Sequence, residues 1–375
     1  MSAVSATRAI GRIQELDLLR GYFIAVILID HIQRWPSFYT YLTGQGRLWV
    51  SAAEGFFIIS GLLIGYLRGY KARHHPLAVV TKKLLSRAAM LYIWCIGITL
   101  FVVAMTALFT DGQSPLLPKL PNAEQVASLP IYLWNVISGQ YASDWIYFLR
   151  LYAIVLALSP LVIWLLRKGL WWLVLLASVS VYGISFLMET PEGAMQWQLL
   201  FFSATLIGWR LETIITWLRE HPRGKKAIVT GLITTTVLTM LLSYFWVHGW
   251  GNVESDKAVI SRDSYVTVRS WIDPWFTNNP MAIGRVLLSF VWFGGMLALF
   301  HACRVYIKRA FGWLLMTFGQ YSLSAYCLQA ILLVFVQLVL PVTMSWWVNF
   351  AATSVALIGF WGLMQIPLVR RLLPR

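Results

Sequence analysis

The sequence predicts an all-α, polytopic membrane bundle of about ten transmembrane helices with both termini cytoplasmic, and three observations lead there. Hydrophobic residues make up 59% of the 375 and charged residues only 12%, with a mean hydropathy of +0.68, a membrane composition and not a soluble one. Several apolar runs reach the ~20 residues a helix needs to cross a bilayer, and they lack the alternating polarity of a spanning β-barrel. The basic residues collect in short segments between the runs. The net charge of +15 therefore reads as topology under the positive-inside rule, with no nucleic-acid partner implied.

Taken in order, the spans are expected near 17–35, 49–67, 88–109, 145–166, 170–188, 197–217, 227–247, 281–303, 313–340 and 345–366. Arg8 and Arg12 precede the first run and no small-residue cleavage site follows, so that run is expected to be an uncleaved signal anchor. With the N-terminus inside, the inner segments gather the clusters Arg68–Arg73, Lys82–Arg87, Arg219–Lys226, Arg304–Arg309 and Arg370–Arg375. Asp111, Glu124, Glu189, Glu254 and Asp263 fall outside, and an odd number of spans would break this alternation.

One domain covers 1–375, with an outer loop over 110–144 and another over 249–280. In the first, SLPIYLWNVISG (Ser128–Gly139) would invert every later loop if it spanned, so it is expected to form an interfacial or re-entrant helix. The second mixes aromatic with charged residues and suits either a lid over an outer-facing site or a plain connector. Cys95, Cys303 and Cys327 form no disulfide or metal spacing. No internal repeat is evident, which weighs against a transporter built from inverted repeats.

The first span carries most of the chemistry. LDLLRGYFIAVILIDHIQRW (Leu16–Trp35) holds Asp17 and Arg20 near one end, and Asp30 and His31 near the other. Eleven helical steps return almost to the starting face, so Arg20 and His31 point the same way, ~16 Å apart along the axis. Asp17 lies one turn before Arg20, close enough to neutralise it. Ionisable groups at such depth usually mark a polar cavity, although Asp17 with Arg20 also suits an interfacial pair, and Asp30 with His31 an outer cap. Asp30 points about 100° away from His31, so Glu54 in the second span is the better candidate to orient the imidazole or balance Arg20.

Those residues resemble a known family. Arg20, ten residues, then His31 is similar to the Arg-x10-His signature of membrane acyltransferases of the acyltransferase-3 type, and ELDLLRG before it resembles their opening. EGFFIISGLLIG (Glu54–Gly65), WQLLFFSATLIGW (Trp197–Trp209) and GQYSLSAYCLQ (Gly319–Gln329) resemble segments of the OpgC-like branch, which includes glucan succinyltransferases. One departure is plain: Gln329 stands where many of these relatives have His.

The resemblance implies an integral inner-membrane enzyme of bacteria. It would move a succinyl or acetyl group, not an aminoacyl group, from cytoplasmic acyl-CoA to a hydroxyl of a periplasmic or cell-surface glycan or glycolipid, with no metal. His31 would be the general base, since an imidazole titrates near pH ~6.5, and Arg20, Asp17 and Glu54 complete the expected catalytic set. Arg20, Ser60, Lys82, Lys83 and Arg87 are the candidates to hold the donor, as Arg and Lys suit its phosphates. The same lysines suit plain topology or lipid headgroups. Ser60 sits beside Gly61, in a series with Gly65 and Gly69 that equally suits close helix packing.

On the outer side, YASDWIYFLRLY (Tyr141–Tyr152) places Asp144, Trp145 and Arg150 among aromatic rings, and with Asp30 these are the candidate acceptor-binding residues. The cluster also fits an interfacial aromatic belt, while Arg150 lies inside its span and reads as a cavity residue. Arg285 in the eighth span could snorkel outward. The bilayer is the evident partner, and a homo-oligomer is compatible with the sequence. A rival reading, a transporter or flippase for a small anion or lipid-linked sugar, needs the same polar cavity, and Gln329 makes room for a third, an inactive relative serving as a partner subunit.

Overall fold

The computed structural model describes residues 14–110, 128–189 and 193–374. Arg8, Arg12, Asp111 and Glu124 lie outside the described residues, as does part of the 110–144 segment. The first half of the chain forms α1 (Gln14–Ile32), α2 (Ala52–Leu63, continued by a π-helical stretch over Ile64–Tyr70), α3 (Leu77–Thr110), α4 (Leu129–Ser138), α5 (Tyr147–Arg167), α6 (Trp171–Ser185) and α7 (Gly193–Trp209). The second half adds α8 (Leu211–Glu220), α9 (Pro222–His248), α10 (Arg262–Ile272), α11 (Ile283–Ala302), α12 (Arg304–Gln320), α13 (Ser322–Val339) and α14 (Trp346–Gln365). Among the described residues, strand-type pairing is confined to one bridge between Asn278 and Met281, so the fold class is all-α.

Seven helices are long and apolar enough to cross a membrane, or eight if α7 and α8, which meet at 58°, make one broken span. The difference from ten has physical causes. Glu15, Asp17, Arg20 and Asp30 fall within the 19 residues of α1. α6 has 15 residues, about 22 Å at ~1.5 Å per residue, against a hydrocarbon core of ~30 Å. The run expected over 313–340 is two helices, because Tyr321, with φ −116° and ψ 35°, separates α12 from α13. The third element starts at Leu77 and not near 88, so Lys82, Lys83 and Arg87 ride on its first turns.

α1 stands at the centre, contacted by α2, α11, α12, α13 and α14. The perimeter differs: 11% of the apolar window of α9 is buried, against 78% for the helix over Ala52–Tyr70. Apolar faces left on the outside are what a lipid-facing helix requires. Inside, two pairs pack backbone to backbone. A Cβ at Gly61 or Gly65 would overlap the carbonyl of Phe201 or Thr205 on α7, and one at Gly21 or Gly319 would overlap the α12 or α1 backbone opposite. The Gly61, Gly65, Gly69 series is thus a helix-packing face.

The two segments expected outside are short-helical and partly tied down. α4 spans ten residues, about 15 Å, too short to cross a bilayer. Its Leu129 and Trp134 are exposed by 68% and 64%. In the 249–280 segment, the buried Tyr265 donates its hydroxyl to the Trp246 carbonyl at 2.6 Å. Phe276 stacks on Trp49 with centroids 4.4 Å apart.

Candidate active site

Beyond Gln14, the residues of α1 are buried with four exceptions: Arg20, Tyr22, Asp30 and His31. In this helix, surrounded by other helices, the residues that keep exposure are the polar ones. Polar groups at such depth are expensive unless hydrated or paired, so the sequence of α1 and its exposure pattern have one cause. Arg20 and His31 share a face, as eleven steps of one unbroken helix dictate.

The His31 end is built by α13. Gln329, fully buried on α13, places its Nε2 3.0 Å from His31 Nδ1. Two turns further, Gln337 Nε2 donates to the His31 and Ile32 carbonyls at 3.0 and 3.1 Å. These belong to the last turn of α1, whose carbonyls have no partner within the helix. Gln33 then adopts a left-handed φ of 54°, ending the helix, and Arg34 folds back. Buried to 1% exposure, its guanidinium donates to Ile32 O at 3.0 Å, to Gln337 Oε1 at 2.5 Å and to Leu340 O at 2.5 Å. His31 thus sits on a helix end fixed by side chains from 300 positions later in the chain. Arg34 and Gln337 were not anticipated; an arginine three residues after the histidine, inside an apolar and aromatic run, was the available signal.

Asp30 looks elsewhere. It lies beside Gly46, in a loop that α9 holds through Tyr244, whose hydroxyl donates to Tyr41 O at 2.7 Å, and through His248, whose Nε2 is 2.8 Å from Gly44 O. One Asp30 oxygen, Oδ1, is buried without a hydrogen-bond partner among the described residues.

At the other end, Arg20 is half-buried with its guanidinium carbon 5.9 Å from the Phe56 ring centroid, and Asp17 is buried one turn earlier. Glu54 corrects the expectation that it serves His31 or Arg20. It is the N3 residue of a capping box, with Oε2 accepting from Ser51 N at 2.9 Å and Ser51 Oγ at 2.6 Å. Its other oxygen, Oε1, accepts from Arg285 Nε at 2.5 Å. Arg285 is 4% exposed, so it is an interior ion-pair partner and does not snorkel outward.

The remaining candidates are scattered. Ser60 is buried within α2, next to the Gly61 packing contact. Lys82 and Lys83 are exposed; Lys83 lines a cavity of about 220 Å³ with Arg68, Lys71 and His75. Arg87 is half-buried. Asp144 is exposed. Trp145 is buried, and its carbonyl accepts from the Tyr326 hydroxyl at 3.0 Å. Tyr326 precedes Gln329 by one turn of α13, so Trp145 is tied to the helix that holds His31. Arg150 is buried over the Tyr147 ring, 5.4 Å from its centroid, beside Gly139 at the end of α4.

No curated protein and no solved structure matches the chain. The model of the OpgC protein family matches residues 12–370, nearly the whole length, with α1, α2 and α13 inside the match, and the chain therefore belongs to the OpgC protein family.

Proposed function

We propose that the protein is a membrane-embedded O-acyltransferase that moves a succinyl or acetyl group from cytoplasmic acyl-CoA to a hydroxyl of an extracytoplasmic glycan or glycolipid. Membership in the OpgC family suggests an acyl or succinyl transferase acting on glycans, and does not favour a transporter or flippase. The observation that carries the reading is the exposure pattern of α1, where a buried helix keeps Arg20, Tyr22, Asp30 and His31 open along its length.

In this reading His31 Nε2 takes the proton of the acceptor hydroxyl as its oxygen attacks the thioester carbon. The C–S bond breaks, the new C–O ester bond remains on the sugar, and the proton passes from the imidazolium to the CoA thiolate. Arg20, with Asp17 setting its orientation, receives the donor from the inner side, and Lys83 and Arg87 attract its phosphates. Ser60, Lys82, Asp30, Asp144, Trp145 and Arg150 stay assigned as expected: the first two to the donor, the others to the acceptor. Ten membrane crossings with both termini cytoplasmic, in a bacterial inner membrane, give this geometry. They require α1 and the short α6 to cross together with the broken α7–α8 pair.

Mass spectrometry of surface and periplasmic glycans tests the reading. Cells lacking the protein should lose one acyl increment, and its mass names the group. Restoring the wild-type chain should return it, whereas His31→Ala, at normal expression, should leave acylation about 10²–10⁴-fold lower. Full acylation with His31→Ala would overturn the general-base assignment, and an unchanged glycan profile in the deletion strain would overturn the acyltransferase reading itself.

A further inference from the structure

The two glutamines of α13 that grip α1 are not equivalent. Gln337 has its amide orientation fixed: Oε1 accepts from the Arg34 guanidinium, which can only donate, so the NH2 must face the His31 and Ile32 carbonyls. Gln329 has no such lock. One end of its amide meets His31 Nδ1 at 3.0 Å, and the other, Oε1, is buried with no hydrogen-bond partner among the described residues. A fully buried carboxamide with one bare end is costly in a finished core, and reads as a group that a ligand completes.

The two ends of a carboxamide have the same shape and opposite hydrogen-bonding character, so orientation follows from chemistry. With the NH2 toward Nδ1, that ring nitrogen must accept, and the imidazole proton sits on Nε2. His31 could then receive no proton at Nε2. With the carbonyl toward Nδ1, the ring donates Nδ1–H and Nε2 keeps its lone pair. A half-turn of the amide interconverts the two, and brings the NH2 to the bare position, where an oxygen of the bound substrate can accept from it.

Resting on His31 as general base, we infer that Gln329 is the positioning residue of the reaction: its carbonyl holds His31 as the Nδ1–H tautomer, and its NH2 donates to a substrate oxygen. The position held by histidine in many relatives is therefore occupied here by a residue that sets the tautomer and takes no proton itself. Gln329→Glu keeps an acceptor of the same shape, loses the donor and adds a negative charge that also favours Nδ1–H. Gln329→Met keeps the bulk and loses both.

The test uses the full-length protein in liposomes, labelled with 15N-histidine, alongside glycan acylation by the same variants. The chain has six histidines, and the His31 resonances are those missing from His31→Ala. During turnover conditions, with acyl-CoA supplied, wild type and Gln329→Glu should show Nδ1 protonated and Nε2 bare. Gln329→Glu should keep kcat within about 10-fold while KM rises, and Gln329→Met should lose about 10²-fold or more in kcat, as a misheld imidazole does. Protonation at Nε2 in the supplied wild-type protein overturns the inference. So does Gln329→Met within twofold of wild type, or Gln329→Glu as inactive as Gln329→Met. His31→Ala separates this failure from that of the parent reading: if it is inactive while Gln329→Met is normal, only the role of Gln329 falls, and if it is active, the base assignment falls.

Discussion

Two buried polar contacts hold the central helices together, and they differ in how completely they are satisfied. Between α2 and α11, Glu54 and Arg285 form a closed set: both carboxylate oxygens are taken, and the Arg285 guanidinium also donates to Phe276 O at 3.2 Å. Between α1 and α13, the set is open, since His31 keeps partial exposure and one end of the Gln329 amide has no partner among the described residues. Closure of the first means that nothing further is needed from a ligand. The open contact leaves the imidazole partly exposed and a buried amide end without a partner among the described residues. Glu54, which by sequence looked like a partner for the Arg-x10-His helix, gives both oxygens to Ser51 and Arg285; Gln329, which looked like a departure from the family pattern, touches the histidine.

The sharpest way to break this comparison is to open the closed set. Arg285→Met leaves the Glu54 carboxylate buried with one oxygen unpaired, and should cost about 3–5 kcal/mol of stability. Adding Glu54→Gln removes the stranded charge and should recover most of that loss, because a buried ion pair is often worth little against neutral groups of similar size. Thermal unfolding in detergent, followed by helical signal, reads both variants. Equal stability of Arg285→Met and wild type would show that the closed set does not hold the N-terminal ends of α2 and α11 together. His31→Met should shift unfolding far less, since its ring is only partly enclosed.

Sequence reasoning succeeded where the signal is local and periodic. Apolar runs give the helices, and eleven-residue spacing gives the shared face of Arg20 and His31, because both depend on one helix's geometry. The four-residue series Gly61, Gly65, Gly69 likewise marks a helix-packing face, though not its partner, which is α7. What stayed hidden depends on partners far along the chain. Gln329 and Gln337 reach α1 across about 300 residues, and Arg285 meets Glu54 across 231; no spacing rule encodes such pairs. The break at Tyr321 was invisible as well. Gln320 ends one helix and Ser322 begins the next, and neither is a proline or glycine that would mark a break in the sequence.

A second, smaller effect follows from the glycine contacts. Gly65→Ala would press a methyl group into the Thr205 carbonyl, and backbone offers no rotamer by which to yield. About 1–3 kcal/mol of overpacking strain is expected, with α2 and α7 moved apart. Gly97→Ala on α3 is the control, since nothing lies within 4 Å of a Cβ there; that change should gain up to about 1 kcal/mol from helix propensity. Unfolding temperatures of the two variants should therefore move in different directions.

The smallest expected effect concerns the basic start of α3, where the contrast between enclosed and open groups repeats with charge. Lys82 and Lys83 are neighbours on the first turns of α3 and both exposed, yet only Lys83 lines the cavity shared with Arg68, Lys71 and His75. Were inner charge merely topological, Lys82→Gln and Lys83→Gln would be interchangeable. If the cavity receives the donor's phosphates, Lys83→Gln should raise the KM for acyl-CoA by roughly 3–10-fold at low salt with kcat unchanged, and Lys82→Gln by less than about twofold. The difference should shrink as salt rises, because the screening length falls from ~10 Å at 0.1 M to ~3 Å at 1 M. Equal KM values for the two variants at low salt would return Lys83 to the role of a topology signal and leave Arg20 to hold the donor without it.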